Sequence, residues 1–146
     1  MTRAFLPHMR KEKWGRVLFS SSITSHRPSG VEFQSIYCAT KGALNVFARA
    51  VANETGRDGV TANSLILGVW WTEMLVNVAE SMGPEKGKAM SEALASMTSI
   101  GRLGNAEELE GLVQLLASDA GSYITGTESV IDGAMDVILK PIVSNH

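Results

Sequence analysis

The stretch from Tyr37 to Leu67 places the tightest limit on what this chain can become. Apolar residues recur at Leu44, Phe47, Ala48 and Val51, and Arg49, Asn53, Glu54 and Arg57 supply a wetter side. That spacing predicts a long amphipathic helix from Tyr37 to about Arg57, with Gly56 and Gly59 able to end it. The apolar run Val60 to Leu67 (VTANSLIL) follows at once and is closed by Gly68, as a buried strand would be. A helix joined so closely to a buried strand points to a layered α/β arrangement.

The flanking segments repeat the alternation. Arg16 to Ser21 (RVLFSS) is short, apolar and bounded by Gly15 and a serine-rich, proline-containing loop, which predicts a first strand. Residues 1–14, with Phe5, Leu6 and Met9 on one side, read as the end of a helix that turns at Trp14-Gly15. Residues 70–99 mix Trp70, Trp71, Met74, Met82, Met90 and Met97 with Gly83-Pro84, which predicts short, broken helices that could form a substrate flap. Asn105 with Glu108 three positions later forms a capping signal for a helix to about Ser118, its apolar line being Leu109, Leu112, Val113 and Leu116. After Gly121-Ser122 and Gly126, Glu128 to Ile131 (ESVI) predicts a third strand, ended by Asp132-Gly133. The order specifies right-handed crossovers and a parallel sheet with helices on both faces.

Composition narrows the function classes. The 146 residues carry 13 basic and 15 acidic side chains, so no basic excess is available for tracking nucleic-acid phosphates. A chain this long buries about 68–70% of its extended surface and needs neither disulfides nor a metal to hold a core. Its single cysteine, Cys38, excludes an internal disulfide, and the cytoplasm is the expected compartment. The longest strongly apolar stretch, Leu65 to Trp71, falls far short of the ~20 residues that span a bilayer. The N-terminal Arg3, Arg10, Lys11, Lys13 and Arg16 come without the apolar region of a secretory signal, and Pro7 and Glu12 do not suit a transit peptide. His8, His26 and His146 lack metal-ligand spacing, so surface or loop positions and no metal are expected.

Tyr37 and Lys41 are the residues that carry chemistry. A separation of four puts both on one helix face, about one turn apart. An ammonium held near a phenol favours the phenolate, whose parent acid ordinarily has a pKa near about 10. A tyrosine so placed can exchange a proton at neutral pH. Ser22 lies just past the carboxyl end of the first predicted strand, where open α/β sheets form their ligand crevice, with Ser21 as the neighbouring alternative. A hydroxyl there can hydrogen-bond a carbonyl or the alkoxide derived from it. The Tyr-x-x-x-Lys pair alone is common by chance and reads sooner as an exposed helix pair than as a catalytic dyad. No Gly-x-Ser-x-Gly elbow surrounds any serine, which disfavours serine-hydrolase chemistry.

The ordered set is more specific. G15-RVLFSS-S22, Y37-CAT-K41-GAL, V60-TANSLIL-G68 with Thr72, R102-LGNAEE, L116-ASD, S122-YIT-G126 and I131-D-G133 together resemble the C-terminal half of the short-chain dehydrogenase/reductases across nearly the whole chain. The resemblance implies the C-terminal part of a Rossmann-type doubly wound parallel sheet, as a single partial domain over residues 1–146. It implies an oxidoreductase using NAD or NADP, acting on a small carbonyl or alcohol substrate, and assembled as a homodimer or homotetramer. Ser22, Tyr37 and Lys41 take the catalytic positions. Tyr37 and Lys41 also take cofactor positions, with Gly68, Val69, Trp70 and Thr72 in the loop beside the nicotinamide and pyrophosphate.

The departures from the family pattern are specific. The glycine-rich phosphate loop, the residue that reads the adenosine ribose and the catalytic asparagine all belong to the N-terminal half, which these residues do not match. Leu67 replaces a proline, Ala134 replaces a glycine, and the Ser22 to Tyr37 interval is wider than usual. A second reading therefore stands beside the enzyme: a non-catalytic remnant or oligomerisation module unable to bind cofactor alone. Cys38 reads as a small packed residue, and the methionines of 74–97 suit either an apolar substrate pocket or core filling.

Overall fold

The computed structural model describes residues 2–28 and 32–137. The chain runs α1 (Thr2–Glu12), β1 (Gly15–Ser22), α2 (Ser35–Thr55), β2 (Val60–Leu67), α3 (Glu73–Ser81), α4 (Pro84–Ser96), α5 (Glu110–Ala117) and β3 (Glu128–Ile131). Short 3-10 turns at Ile23–Ser25, Gly56–Asp58, Ala106–Leu109 and Asp119–Gly121 connect them. The three strands form one sheet in the order β1-β2-β3, with both pairings parallel. This is the expected α/β class. His146 lies outside the described residues.

β2 is central by position and by burial: seven of its eight residues, all but Leu67, are buried. Its apolar residues Val60, Ala62, Leu65 and Ile66 supply much of the core. α2 covers the sheet with Val51 and Ala52, which pack on Ala62, and Leu6, Val17 and Phe19 close around them. The expected apolar line of α2 is corrected here. The buried residues are Asn45, Ala48, Val51, Ala52 and Thr55, while Phe47 is half exposed. Small residues let the helix approach the strands closely; Thr55 is admitted because its hydroxyl finds a partner, while Asn45 is paired through Nδ2 and its buried Oδ1 has no partner among the described residues. Thr55 donates its hydroxyl to Val51 O at 2.7 Å, and Phe47 instead meets Phe19 edge-on at 5.5 Å.

The joint between α2 and β2 depends on one glycine. Gly59 adopts φ +75°, and a Cβ there would stand 2.1 Å from the Lys13 carbonyl oxygen, so no other residue fits without moving backbone. Between α3 and α4 the chain breaks at Gly83-Pro84, and Pro84 occupies the first helical turn, where its missing N–H costs nothing. The single helix expected from Asn105 to Ser118 is instead a 3-10 turn followed by α5. Glu108 still acts as expected at its start, accepting from Asn105 N at 2.9 Å. It also receives both Arg102 guanidinium nitrogens at 2.7 Å, which hold its carboxyl down at about 2.

Polar residues inside β2 fix the approach to β3. Asn63, fully buried, donates to Ile124 O at 2.9 Å and accepts from Thr127 N at 3.1 Å and Thr127 Oγ1 at 2.9 Å. The turn after β3 is set by Asp132, which accepts from Ala134 N at 2.8 Å and Asp136 N at 2.5 Å. Ala134 sits there at φ +63°, a left-handed position that favours glycine.

Two stability outcomes follow. Asn63→Ala removes all three side-chain bonds and strands groups that lack water, so urea unfolding should show a loss of about 2–3 kcal/mol. Ala134→Gly relieves the left-handed alanine and should raise stability by about 0.5–1 kcal/mol in the same assay. An unchanged midpoint for either would remove the corresponding role.

Candidate active site

Parallel pairing places the carboxyl ends of all three strands on one side. Ser22 pairs with Leu67, and Leu67 pairs with Ile131, so the ends form a row. Open parallel sheets bind ligands outside such a row.

α2 is fastened to this row by both ends of one residue. The Lys41 ammonium donates to Ser20 O at 2.9 Å, and the Lys41 carbonyl accepts from Ser21 Oγ at 3.0 Å. One turn earlier on the helix, the Tyr37 ring lies with its centroid 5.5 Å from the Lys41 ammonium nitrogen. That is within the range in which a cation is attracted to a ring face. Tyr37 is half exposed.

Three consecutive serines have three different employments. Ser20 offers its carbonyl to Lys41, and Ser21 commits its hydroxyl to the Lys41 carbonyl while buried to 2% exposure. Ser22 Oγ accepts from Thr24 N at 3.3 Å and Thr24 Oγ1 at 3.1 Å, capping the turn at Ile23–Ser25. Two accepted bonds use the oxygen's lone pairs and leave its own hydrogen to donate. Ser21 has no such hydrogen to spare, which separates the two serines chemically.

The loop after β2 is packed against the end of β3. Gly68 N donates to Ile131 O at 3.0 Å, and a Cβ on Gly68 would stand 2.6 Å from that of Asp132. Trp70 pairs with Gly104 as an isolated parallel bridge, and a Cβ on Gly104 would stand 2.5 Å from the Trp70 ring. Thr72 spends its oxygen capping α3, accepting from Leu75 N at 3.3 Å. A cavity of about 210 Å³ beside the loop is lined by Val69, Trp70, Ile131 and Asp132, among others. The indole Nε1 of Trp70 is buried and has no acceptor among the described residues.

The structure thus places Ser22 on the β1 end, Tyr37 and Lys41 on the first turns of the helix tied to that end, and Gly68 to Thr72 on the next strand's exit. Among the described residues no group of three or more His, Cys, Asp or Glu side chains is arranged to hold a metal. Cys38 is only partly buried, not packed away. Sequence reasoning missed His26, which contacts Glu128 at 2.8 Å and Asp136 at 3.2 Å. A signal was present in Glu128, an acidic residue opening a four-residue strand.

Comparison with known proteins places this arrangement in context. The chain is 36% identical over 126 residues to the short-chain reductase protein NovJ of Streptomyces niveus, covering 86% of this chain and 47% of that protein. It is 35% identical over 135 residues to the 3-oxoacyl-[acyl-carrier-protein] reductase FabG of Pseudomonas aeruginosa, covering 92% and 51%. It superimposes on L-sorbose reductase from Gluconobacter frateurii, solved with NADPH and L-sorbose, with a TM-score of 0.86 and 26% identity over 94% of this chain and 53% of that one. The chain therefore spans about half the length of the curated relatives it matches. A family model described as enoyl-(acyl carrier protein) reductase matches residues 1–136. With that match and these relatives, the chain belongs to this family, within the short-chain dehydrogenase/reductases.

Proposed function

We propose that this chain is the catalytic, C-terminal half of an NAD(P)-dependent oxidoreductase that interconverts a small carbonyl compound and its alcohol. The observation that carries the reading is the double fastening of Lys41 to the end of β1, with the Tyr37 ring against its ammonium. The proposed catalytic residues are Ser22, Tyr37 and Lys41. Gly68, Val69, Trp70 and Thr72 join Tyr37 and Lys41 as the proposed cofactor-contacting set.

The donors present suit a nicotinamide dinucleotide. Lys41 spends one of its three N–H bonds on Ser20 among the described residues, leaving others for sugar hydroxyls. The orphaned Trp70 indole N–H lacks the kind of acceptor that a carboxamide offers. When bound, that cofactor supplies or accepts the hydride.

The chain's own groups handle the proton and the charge. In reduction, Tyr37 Oη gives its proton to the substrate oxygen, and in oxidation it takes that proton back. Ser22 donates its free hydrogen to the same oxygen, where negative charge develops. The Lys41 ammonium stabilises negative charge on the phenolic oxygen as the proton leaves. α3 and α4, which pack on each other beyond Thr72, are the proposed substrate flap. Cytoplasmic residence and assembly into a homodimer or homotetramer belong to the same proposal. Among the described residues, no helix is long and apolar enough to cross a membrane.

Two experiments test it. In a polypeptide that joins residues 1–146 to a phosphate-binding half, Tyr37→Phe should lower kcat/KM for ketone reduction by about 10²–10⁴-fold with an unchanged circular dichroism spectrum. Near-normal turnover would overturn the role of Tyr37. Titrating residues 1–146 alone with NADH or NADPH, followed by tryptophan fluorescence, should show no saturable binding. Tight binding with turnover would refute the assignment to one half of a domain.

A further inference from the structure

His26 occupies a position that a neutral imidazole cannot satisfy. It follows the turn that Ser22 caps, with His26 N donating to Ile23 O at 3.0 Å. Its two ring nitrogens face two different carboxylates: Nε2 lies 2.8 Å from Glu128 Oε2, and Nδ1 lies 3.2 Å from Asp136 Oδ2. Neutral imidazole has one N–H and one lone pair, so one carboxylate would face a lone pair. Only the imidazolium donates to both.

Each surrounding element contributes a charged or polar group. α2 brings Arg49, 2.9 Å from Glu128 Oε1, and Asn45, whose Nδ2 donates to Glu128 Oε2 at 3.3 Å. The segment after the Ser22 turn brings Arg27, with Nε 3.4 Å from Asp136 Oδ1 and a guanidinium nitrogen on Met135 O. β3 brings Glu128, and the turn after it brings Asp136, whose N–H rests on Asp132. The two arginines already balance the two carboxylates, so the imidazolium adds a third positive charge. That excess tempers its preference for the charged form without removing the need for two donors.

We propose that His26 is a positioning residue, a proton-operated latch that ties the Ser22 turn to the start of β3 and to the turn beyond that strand. The grip reaches Ser22 through a short chain. Asn45 Nδ2 donates to Ser25 Oγ at 2.9 Å, and Ser25 Oγ donates to Ser22 O at 2.6 Å. Losing the proton leaves one N–H. Asp136, at the longer contact, is then released to Arg27, while Glu128 keeps Arg49 and Asn45. The Glu128 bond, acting against partial burial, leads the causes that raise the histidine's pKa above its ordinary 6.5. A raised folded value means the latch contributes its full stability below about pH 6.5 and loses it as pH rises through that folded value. The latch stands on these contacts alone. Its bearing on catalysis rests on the reading of Ser22 as the hydroxyl that meets the substrate.

The test is NMR titration of the three histidines of the 146-residue chain, with the His26 signal assigned by His26→Gln. His26 should titrate above the ordinary 6.5 of an imidazole, and both Asp136→Asn and Glu128→Gln should move it down. Amide exchange, corrected for its intrinsic pH dependence, should show several-fold loss of protection at Thr24 and Asp136 as His26 deprotonates. That step should be absent in His26→Gln. A His26 midpoint at or below that ordinary value, or one that neither carboxylate variant moves, overturns the latch. So does protection that ignores the titration. Should Glu128→Gln unfold the chain, Asp136→Asn carries the same test, because Asp136 lies beyond the strand. Neither readout involves turnover, so failure here leaves the oxidoreductase reading standing, and an inactive enzyme leaves the latch standing.

Discussion

β2 runs parallel to both its neighbours, and that pairing is what makes a site possible in so short a stretch of sheet. Parallel register forces the chain to return to the same edge after every strand, so Ser22, Leu67 and Ile131 finish in one row. Each return needs a covering element, and α2 provides the first by laying Ala48, Val51 and Ala52 on the strands. The small side chains on that face bring the helix close enough for Lys41 to reach the backbone of β1. A bulkier face would hold the helix off and break both Lys41 bonds together. Packing and chemistry are therefore coupled through helix-to-sheet distance.

Much of this was legible in the residues themselves. Strand and helix existence followed from periodicity and glycine punctuation, because buried parallel strands leave continuous apolar runs and amphipathic helices leave a repeating stripe. The Tyr37 and Lys41 pairing followed from helical spacing alone. What periodicity could not show was which polar residues are interior. Asn45, Thr55 and Asn63 look like surface residues, yet each is buried and hydrogen-bonded through side-chain geometry that only the folded chain displays. Phe47 misled in the opposite sense, since an aromatic ring at the right phase of α2 is half exposed. The clustering of His26 with Glu128 and Asp136 joins residues more than a hundred positions apart, beyond the reach of any local pattern.

The serine run at the end of β1 shows how one strand terminus divides labour. Alternation along a strand sends neighbouring side chains to opposite faces, so three consecutive serines cannot all serve one purpose. Ser20 contributes only its carbonyl to Lys41, Ser21 locks the helix from its buried side, and Ser22 closes the following turn while keeping a hydrogen free. The polar residues that look redundant in sequence separate into two that hold the frame and one that caps the next turn with a hydrogen to spare.

The same separation holds for the phenol. Tyr37 is half exposed and absent from the apolar cluster formed by Val51, Ala52 and Ala62, so its ring contributes little to what keeps the sheet covered. The frame rests instead on contacts distant from the crevice: Asn63 on the approach to β3, Thr55 at the end of α2, and Asp119, which gathers Trp14 Nε1 at 2.9 Å and Arg16 at 3.1 Å near the opposite end of β1. Because these groups lie away from the row of strand ends, the Tyr37 side chain can be altered without disturbing the scaffold. Lys41 is the exception. It lies against the Tyr37 ring and fastens helix to strand with the same side chain, so its removal would loosen α2 from β1 as well as strip the charge from beside the phenol.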